Sequence, residues 1–321
     1  MKRRNDKGSL RVGVTGASGD LGKLLIPLLL EDPAVAQVVA YDVAAPDLVH
    51  DRLEFVRADL TRPGTESELT RQIGDAKLDA LYHLAFVHGR VHSGALAHEL
   101  EVIGSLHVLA AAGQLGIPRL IVPSLTALYG ARANAPFYLT EADPLSGAEG
   151  SRFIQDKVEV ERQLERFQRA QSKTRVLVLR FAPMVGPRSN NPVTRLLRNR
   201  FVPTLLGFDP PWQVLHEDDA ARALHLALTV TQDGVFNVVP EGLMPLSMVI
   251  ALSGGRVVPL PRPVLLGVIG ALERTGVSAV PPTLLDFLRF PCVADGQRAT
   301  RELGFVPRYT AREAAASLRG N

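Results

Sequence analysis

One glycine-rich turn constrains the fold of this chain more than any other segment. The turn, Gly-x-x-Gly-x-x-Gly over residues 16–22, follows an apolar run that reads as a strand and opens an apolar, helix-like stretch. Glycines there permit a tight turn, close approach of a pyrophosphate and close packing of helix on strand, while the helix N-terminus attracts phosphate. The segment predicts a dinucleotide-binding strand–turn–helix, with cofactor contacts at Gly16, Ser18, Gly19, Asp20, Leu21 and Gly22.

The second predicted strand, 37–42, ends in an aspartate that bears on the identity of the dinucleotide. Asp42 lies twenty residues past Gly22. A carboxylate at this place accepts hydrogen bonds from a ribose diol and repels a 2′-phosphate, so it favours NAD over NADP. The alternative is a glycine-rich structural turn followed by a surface aspartate. NAD is the predicted cofactor.

Strand-like and helix-like segments alternate through the first 180 residues. This order predicts an α/β fold, a Rossmann-type doubly wound parallel sheet with helices on both faces. The predicted strands are 10–15, 37–42, 53–57, 79–84, 119–123 and 175–180, and the predicted helices lie near 20–31, 65–74, 95–115 and 151–170.

The regular alternation of strand-like and helix-like segments ends after residue 180, and prolines are concentrated in several stretches there. We expect residues 1–9 to be disordered, residues 10–180 to form the NAD-binding domain and residues 181–321 to form a smaller C-terminal substrate lobe. A strand at 235–239 is expected to return to the main sheet.

Composition excludes several classes of function. The net charge is only +3 and the basic residues are scattered among acids, which argues against a nucleic-acid partner. Cys292 is the single cysteine, so no intrachain disulfide can form and a reducing, cytoplasmic location is expected. No run of about twenty apolar residues is evident, so no transmembrane segment is predicted.

Six further segments, taken in order, resemble the extended short-chain dehydrogenase/reductase family, the NAD-dependent epimerase/dehydratase group. They are Asp59-Leu60, His83-Leu84-Ala85, Ser124 to Gly130, Arg180 to Pro187, His216 to Ala221 and Arg301 to Tyr309. The resemblance covers nearly the whole chain. It implies adenine contacts from Asp59 and Leu60, and further cofactor contacts from Leu84, Ala85, Lys157 and Pro183.

The predicted active site departs from the pattern of this family. The resemblance implies a Tyr-x-x-x-Lys helix motif, in which tyrosine is the acid/base and lysine lowers its pKa and binds ribose, together with a Ser or Thr that orients the substrate oxygen. In this chain Lys157 is retained, but Phe153 and Leu125 occupy the Tyr and Ser/Thr positions, and Glu101 stands where the family has Asn. Phenylalanine cannot transfer a proton, so the usual mechanism is either crippled or moved to other residues.

Several residues are candidates for the displaced chemistry. The tyrosines among them could instead simply pack, with a hydroxyl at the surface. His88 and His92 share one helical face, which would also suit a metal, but no third ligand is evident and no metal site is predicted. Asp218 and Asp219 are interpreted as a helix cap. The catalytic candidates are Lys157, Ser124, Thr126, Tyr129, Tyr138, His88 and His92.

Two functions follow from these observations. The first is an NAD-binding oxidoreductase of the epimerase/dehydratase kind with an altered active site, and the second is an inactive NAD(H)-binding pseudoenzyme that acts as sensor, scaffold or partner-binding protein. The substrate is expected to be a sugar nucleotide or an apolar alcohol or ketone.

The apolar segment 264–272 is expected to be a buried helix, with a wall for a lipid-like substrate or a membrane-surface contact as alternatives. A homodimer formed through helices 95–115 and 151–170 is also predicted.

Overall fold

Seven parallel strands form the central sheet of this protein in a computed structural model. The structure describes residues 9–62, 64–86, 94–147, 151–170, 173–274 and 284–320. The strands are β1 (Leu10–Thr15), β2 (Val35–Asp42), β3 (Leu53–Arg57), β4 (Ala80–His83), β5 (Arg119–Leu125), β6 (Arg175–Phe181) and β7 (Gly234–Val238).

The strands lie in the order β7-β6-β5-β4-β1-β2-β3, so the direction of winding reverses between β1 and β4. The predicted doubly wound parallel sheet is confirmed. β7 pairs with β6 at one edge, so a segment from the C-terminal half of the chain completes the sheet. In a fold of this kind a ligand binds at the carboxyl ends of the strands where the winding reverses.

Helices lie on both faces of the sheet and in the part of the chain that follows β6. They are α1 (Asp20–Glu31), α2 (Thr65–Ala76), α3 (Gly94–His98), α4 (Gly104–Leu115), α5 (Arg152–Ala170), α6 (Pro192–Leu197), α7 (Glu217–Leu226), α8 (Leu246–Leu252), α9 (Arg262–Arg274), α10 (Leu284–Phe287) and α11 (Ala311–Ala316). Helices α1 and α7 pack together, as do α2 and α4.

Alternate side chains of each strand enter separate cores. In β2, Val38 and Ala40 join the core that contains α1 and α7, whereas Val39 and Tyr41 join the core that contains α2 and α4. This follows from the twofold periodicity of a strand, whose neighbouring side chains point to opposite faces. Both faces are thus buried, which explains the continuous apolar runs in the sequence.

The predicted helix over 95–115 is present, and a π-helical segment, Glu99–Ile103, lies within it between α3 and α4. Such segments often lie at functional sites.

By length and composition the stretch Ala95–Leu115 could cross a membrane, although no transmembrane segment is predicted from the sequence. A helix in the core of a globular protein can have the same length and apolar composition. Val108 and Leu109 are buried in the core beneath α2, whereas Leu96, Leu106 and Leu115 are exposed, so packing in the fold accounts for part of the apolar character of this stretch.

The chain beyond β6 builds a third buried core around short elements. The short strands pair as Met184–Val185 with Leu215–His216, Phe201–Leu205 with Arg256–Leu260, Pro211–Trp212 with Met244–Pro245 and Tyr138–Leu139 with Val293–Ala294. The expectation of a fully buried helix over 264–272 is wrong for its first turn. Leu265 is buried there, but Val264 and Leu266 are exposed. The division into two domains stays a prediction, and residues 1–8 lie outside the described residues.

Candidate functional site

A cleft of about 470 Å³ opens at the carboxyl ends of β1, β2 and β4. This is the place where the winding of the sheet reverses, and the volume suits a small-molecule site. Eight residues predicted to bind the cofactor line the cleft, namely Gly16, Ser18, Gly19, Asp42, Asp59, Leu60, Leu84 and Ala85.

The glycine-rich turn is shaped by close backbone contacts. Gly16 has φ +69°, and a Cβ built on it would lie 2.5 Å from the backbone nitrogen of Ala85. A Cβ on Gly22 would lie 2.4 Å from the carbonyl oxygen of Ala17. Gly19 caps α1 without a side-chain hydrogen bond. The N–H groups of the first turn of a helix have no intrahelical partner, so this turn is suited to hold a pyrophosphate.

Asp42 joins the end of β2 to the glycine-rich turn. Its Oδ2 accepts a hydrogen bond of 2.9 Å from the backbone N–H of Ser18, and its Oδ1 accepts one of 2.7 Å from Val43. A carboxylate offers about four acceptor positions, so this one can also receive ribose hydroxyls. The residues present therefore fit the adenosine ribose of NAD.

Asp59 is a second carboxylate in the wall of the cleft. Its Oδ1 accepts hydrogen bonds from the hydroxyl and the backbone N–H of Thr61, at 2.7 and 3.0 Å. The Thr61 hydroxyl is the main cause that lowers the pKa of Asp59, so this carboxyl is ionised at neutral pH.

Other predicted cofactor residues do not line the cleft. Asp20 accepts a hydrogen bond of 3.1 Å from the backbone N–H of Asn190, so its carboxylate is aimed at the segment that follows β6. Leu21 and Gly22 are buried in the first turn of α1. Pro183 is half-buried after β6. Direct cofactor contacts from these residues stay predictions.

Lys157 is held in a buried ion pair. Its Nζ lies 2.8 Å from Oε2 of Glu101, and the two side chains are 7% and 1% exposed. The same nitrogen lies 3.2 Å from the ring centroid of Phe86, within range of a cation–π contact. Burial lowers the pKa of Lys157, while the charge and hydrogen bond of Glu101 act in the opposite direction. The π-helical segment thus places the Glu101 carboxylate against the lysine to which the family resemblance assigns ribose binding.

The two positions of the missing hydroxyls carry apolar side chains. Phe153 lies one turn before Lys157 on α5 and is 43% exposed. Leu125, at the end of β5, packs against a small apolar cluster that includes Leu128 and Ile154. Neither side chain can donate or accept a proton at this end of the sheet.

Ser124 and Tyr129 belong to a buried network beneath the edge of the sheet. Glu161 accepts from Ser124 Oγ, and it forms an ion pair of 2.6 Å with Arg180. Arg180 donates to the Tyr129 hydroxyl at 2.7 Å, and that hydroxyl donates to Asn237 at 2.8 Å. Burial raises the pKa of Tyr129. These groups tie β5, α5, β6 and β7 together.

The other catalytic candidates that the structure describes do not line the cleft. Ser124 and Tyr129 are committed to the buried network, and Thr126 is buried at the start of the short 3₁₀ helix Thr126–Tyr129. Tyr138 is 54% exposed and contacts Phe137 edge-on. A role in proton transfer for these four residues stays a prediction.

His88 and His92 lie outside the described residues. Among the residues that are described, no group of three or more His, Cys, Asp or Glu is arranged to hold a metal. Asp219 accepts backbone hydrogen bonds from Arg308 and Tyr309, so within the described contacts it fastens the C-terminal segment to α7.

The contacts of two histidines near the site were not predicted from the sequence. His98 Nδ1 lies 2.8 Å from Asp156 Oδ1, joining α3 to α5. His83 is hydrogen-bonded to Thr15 at 2.8 Å and to Ser105 at 3.0 Å, and burial lowers its pKa to about 3, so it is neutral. The partners lie far apart in the chain, so no local pattern reveals them.

Comparisons with known proteins agree with this geometry. Residues 12–238 match the model of the NAD dependent epimerase/dehydratase family, and the chain belongs to that family. The resemblance found in the sequence is thereby confirmed. The family is described as NAD dependent, in agreement with the cofactor predicted from Asp42.

One relative and two solved structures illustrate the likeness. An uncharacterized protein of Mycobacterium tuberculosis (strain ATCC 25618 / H37Rv) is 31% identical over 311 residues, which is 94% of this chain and 81% of that protein. A dTDP-glucose 4,6-dehydratase of Bacillus anthracis in complex with NAD has a TM-score of 0.73 at 15% identity, covering 97% and 96% of the two chains. A Thermus thermophilus UDP-glucose 4-epimerase in complex with NAD has a TM-score of 0.73 at 20% identity, covering 97% and 99%. The structures share the fold of this chain.

Proposed function

We propose that this protein binds NAD(H) and does not carry out the tyrosine-dependent hydride transfer of its family, serving as a sensor, scaffold or partner-binding protein. One observation carries the proposal. The glycine-rich turn and Asp42 line an open cleft, while Phe153 and Leu125 stand where the two catalytic hydroxyls belong.

Different residues of the cleft would bind different parts of the cofactor. The glycine-rich turn and the N-terminus of α1 would bind the pyrophosphate, and Asp42 would bind the adenosine ribose. Asp59 and Leu60 would flank the adenine. Bound NAD supplies a hydride acceptor, but a reaction on an alcohol or carbonyl also needs a proton-transfer group, worth about 10²–10⁴-fold in rate. Phe153 cannot serve as that group.

A sugar nucleotide is the small molecule that we propose first as a second ligand. A Thermotoga maritima UDP-glucose 4-epimerase of similar fold is described with UDP-glucose, at a TM-score of 0.73 and 20% identity. The cytoplasmic location predicted from Cys292 belongs to the same proposal.

The pair of His98 and Asp156 favours a second candidate function, an enzyme whose acid/base group has moved. A histidine oriented by a carboxylate is a common general base. However, Leu96 and Leu100 line the cleft from the same stretch of helix. Residues two apart on a helix do not share a face, so His98 is directed away from the cleft toward α5. We rank this candidate second.

Titration calorimetry with NAD and NADP tests the cofactor proposal. NAD should bind more tightly, and Asp42→Ala should weaken NAD binding about tenfold or more, because a hydrogen bond to a charged group is worth about 1.5–3 kcal/mol. Asp47→Ala is the matched control, since that carboxylate is 88% exposed and outside the cleft wall. Equal or tighter binding of NADP would contradict the proposal.

Turnover assays with sugar nucleotides and simple carbonyls separate the two candidates. The first predicts negligible turnover by a chain that binds NAD. Robust turnover that is lost in His98→Ala would establish the second candidate instead.

A further inference from the structure

We infer that the cleft recognises the adenosine diphosphate half of a dinucleotide and that the described residues build no subsite for the nicotinamide half. ADP-ribose and ADP should therefore occupy it about as well as NAD does. The inference rests on the proposed function, since it names the ligand class of the same cleft.

The composition of the cleft wall is the first observation. The wall includes Thr15, the turn that follows it, Asp42 and Asp59, and it ends at Leu96 and Leu100 of the α3 and π-helical stretch. Among the described residues, none from α5 and none from the segment after β6 contributes to it. The resemblance to the family would place the nicotinamide beside those two segments.

The state of Lys157 is the second observation. Its ammonium group lies 2.8 Å from Glu101 with both side chains buried, so ribose hydroxyls in the cleft have little access to it in this arrangement. Separating a buried ion pair is strongly unfavourable because each charge then lies in a medium that solvates it poorly. The lysine that would hold the nicotinamide ribose is therefore already committed to a protein carboxylate.

Phe86 provides the third observation. Its side chain is 7% exposed and belongs to the cleft wall. The ring also lies 3.2 Å from Lys157 Nζ and 4.7 Å, centroid to centroid, from His83. One aromatic ring thus stands between the open cleft and the lysine. It closes the end of the cleft toward α5.

This arrangement has a consequence for what the protein can sense. NAD⁺ and NADH share the adenosine diphosphate half and differ only in the nicotinamide ring. A cleft that contacts the shared half alone responds to the amount of adenine nucleotide and not to its oxidation state.

Calorimetry on the full chain with NAD⁺, NADH, ADP-ribose, ADP and nicotinamide mononucleotide tests the inference. The dissociation constants of the first four should agree within about threefold, a difference of well under 1.4 kcal/mol, and the mononucleotide should neither bind nor compete. NAD⁺ binding more than about tenfold tighter than ADP-ribose would overturn the inference and leave the proposed function standing. No binding of either ligand would instead reject the proposed function.

A variant opens the closed end of the cleft. Phe86→Ala with Glu101→Asn removes the ring and releases Lys157, so the affinity for NAD⁺ should gain about tenfold relative to the affinity for ADP-ribose. Phe137→Ala, which truncates a phenylalanine that is 49% exposed and outside the cleft wall, is the matched control. Thermal melting verifies that each variant folds, and the ligand series on the wild-type chain tests the inference without any substitution. An equal gain for NAD⁺ and ADP-ribose would overturn the assignment of Phe86 as the barrier.

Discussion

Glu101→Ala should destabilise the protein far more than the loss of one surface charge. The carboxylate is 1% exposed and forms an ion pair of 2.8 Å with Lys157, which is 7% exposed. Removing one partner of a buried pair leaves the other charge poorly compensated and costs about 3–5 kcal/mol. Phe86 contacts the same ammonium group and compensates for only part of the loss, because a desolvated cation–π contact is worth about 2 kcal/mol.

This free energy converts into a measurable shift in melting temperature. The unfolding entropy is about 2.1 cal/mol/K for each residue, and the chain has 321 residues. A loss of about 3–5 kcal/mol therefore lowers the melting temperature by roughly 4–7 °C. The double variant Glu101→Leu/Lys157→Met should melt at or above the wild-type temperature, since replacing a buried pair by apolar side chains is often neutral or stabilising by about 1–4 kcal/mol.

Circular dichroism melts and urea titrations measure both variants. Asp47→Ala is the control, because the pair of Lys23 and Asp47 is 53% and 88% exposed, and exposed pairs contribute about 0–1 kcal/mol. A melting temperature for Glu101→Ala within about 1 °C of the wild type would refute the reasoning, since it would show that the carboxylate is solvated.

Three further predictions concern pH, catalysis and assembly. Burial lowers the pKa of His83 from 6.5 to about 3, so the neutral ring contributes stability above pH 6.5 that is lost as the pH falls. Urea titrations should show that the free energy of unfolding falls by about 2 kcal/mol between about pH 7 and pH 5. The variant His83→Asn should lack this fall. Restoring both hydroxyls with Leu125→Ser and Phe153→Tyr should give less NADH formation than the same pair combined with Glu101→Asn, because only the triple variant releases Lys157; equal rates would show that Glu101 does not matter. Light scattering at micromolar concentration should give a dimer mass if α4 and α5, with Leu106 and Phe153 exposed, pair between two copies, and a monomer mass would reject that interface.

The sequence alone determined those features whose residue pattern lies within one short segment. The turn at residues 16–22 needs glycine because backbone atoms approach too closely for a Cβ, as at Gly16 with its φ of +69°. The strands are continuous apolar runs because both faces of the sheet are covered. Each of these features is encoded by the residue types of one short segment, so the sheet and the place of Asp42 at the cleft could be predicted from the sequence.

Only the tertiary structure determined which side chains of the site contact one another. Glu101, Lys157 and Phe86 come from three separate segments that meet only because the sheet brings α5 beside the π-helical stretch. The tyrosine at position 129 matched a motif in the sequence, yet its hydroxyl is bonded within a buried network that reaches Asn237 on β7. Ion pairs and ring contacts of this kind join residues that are distant along the chain. Their geometry follows from packing, and no spacing within a single segment encodes it.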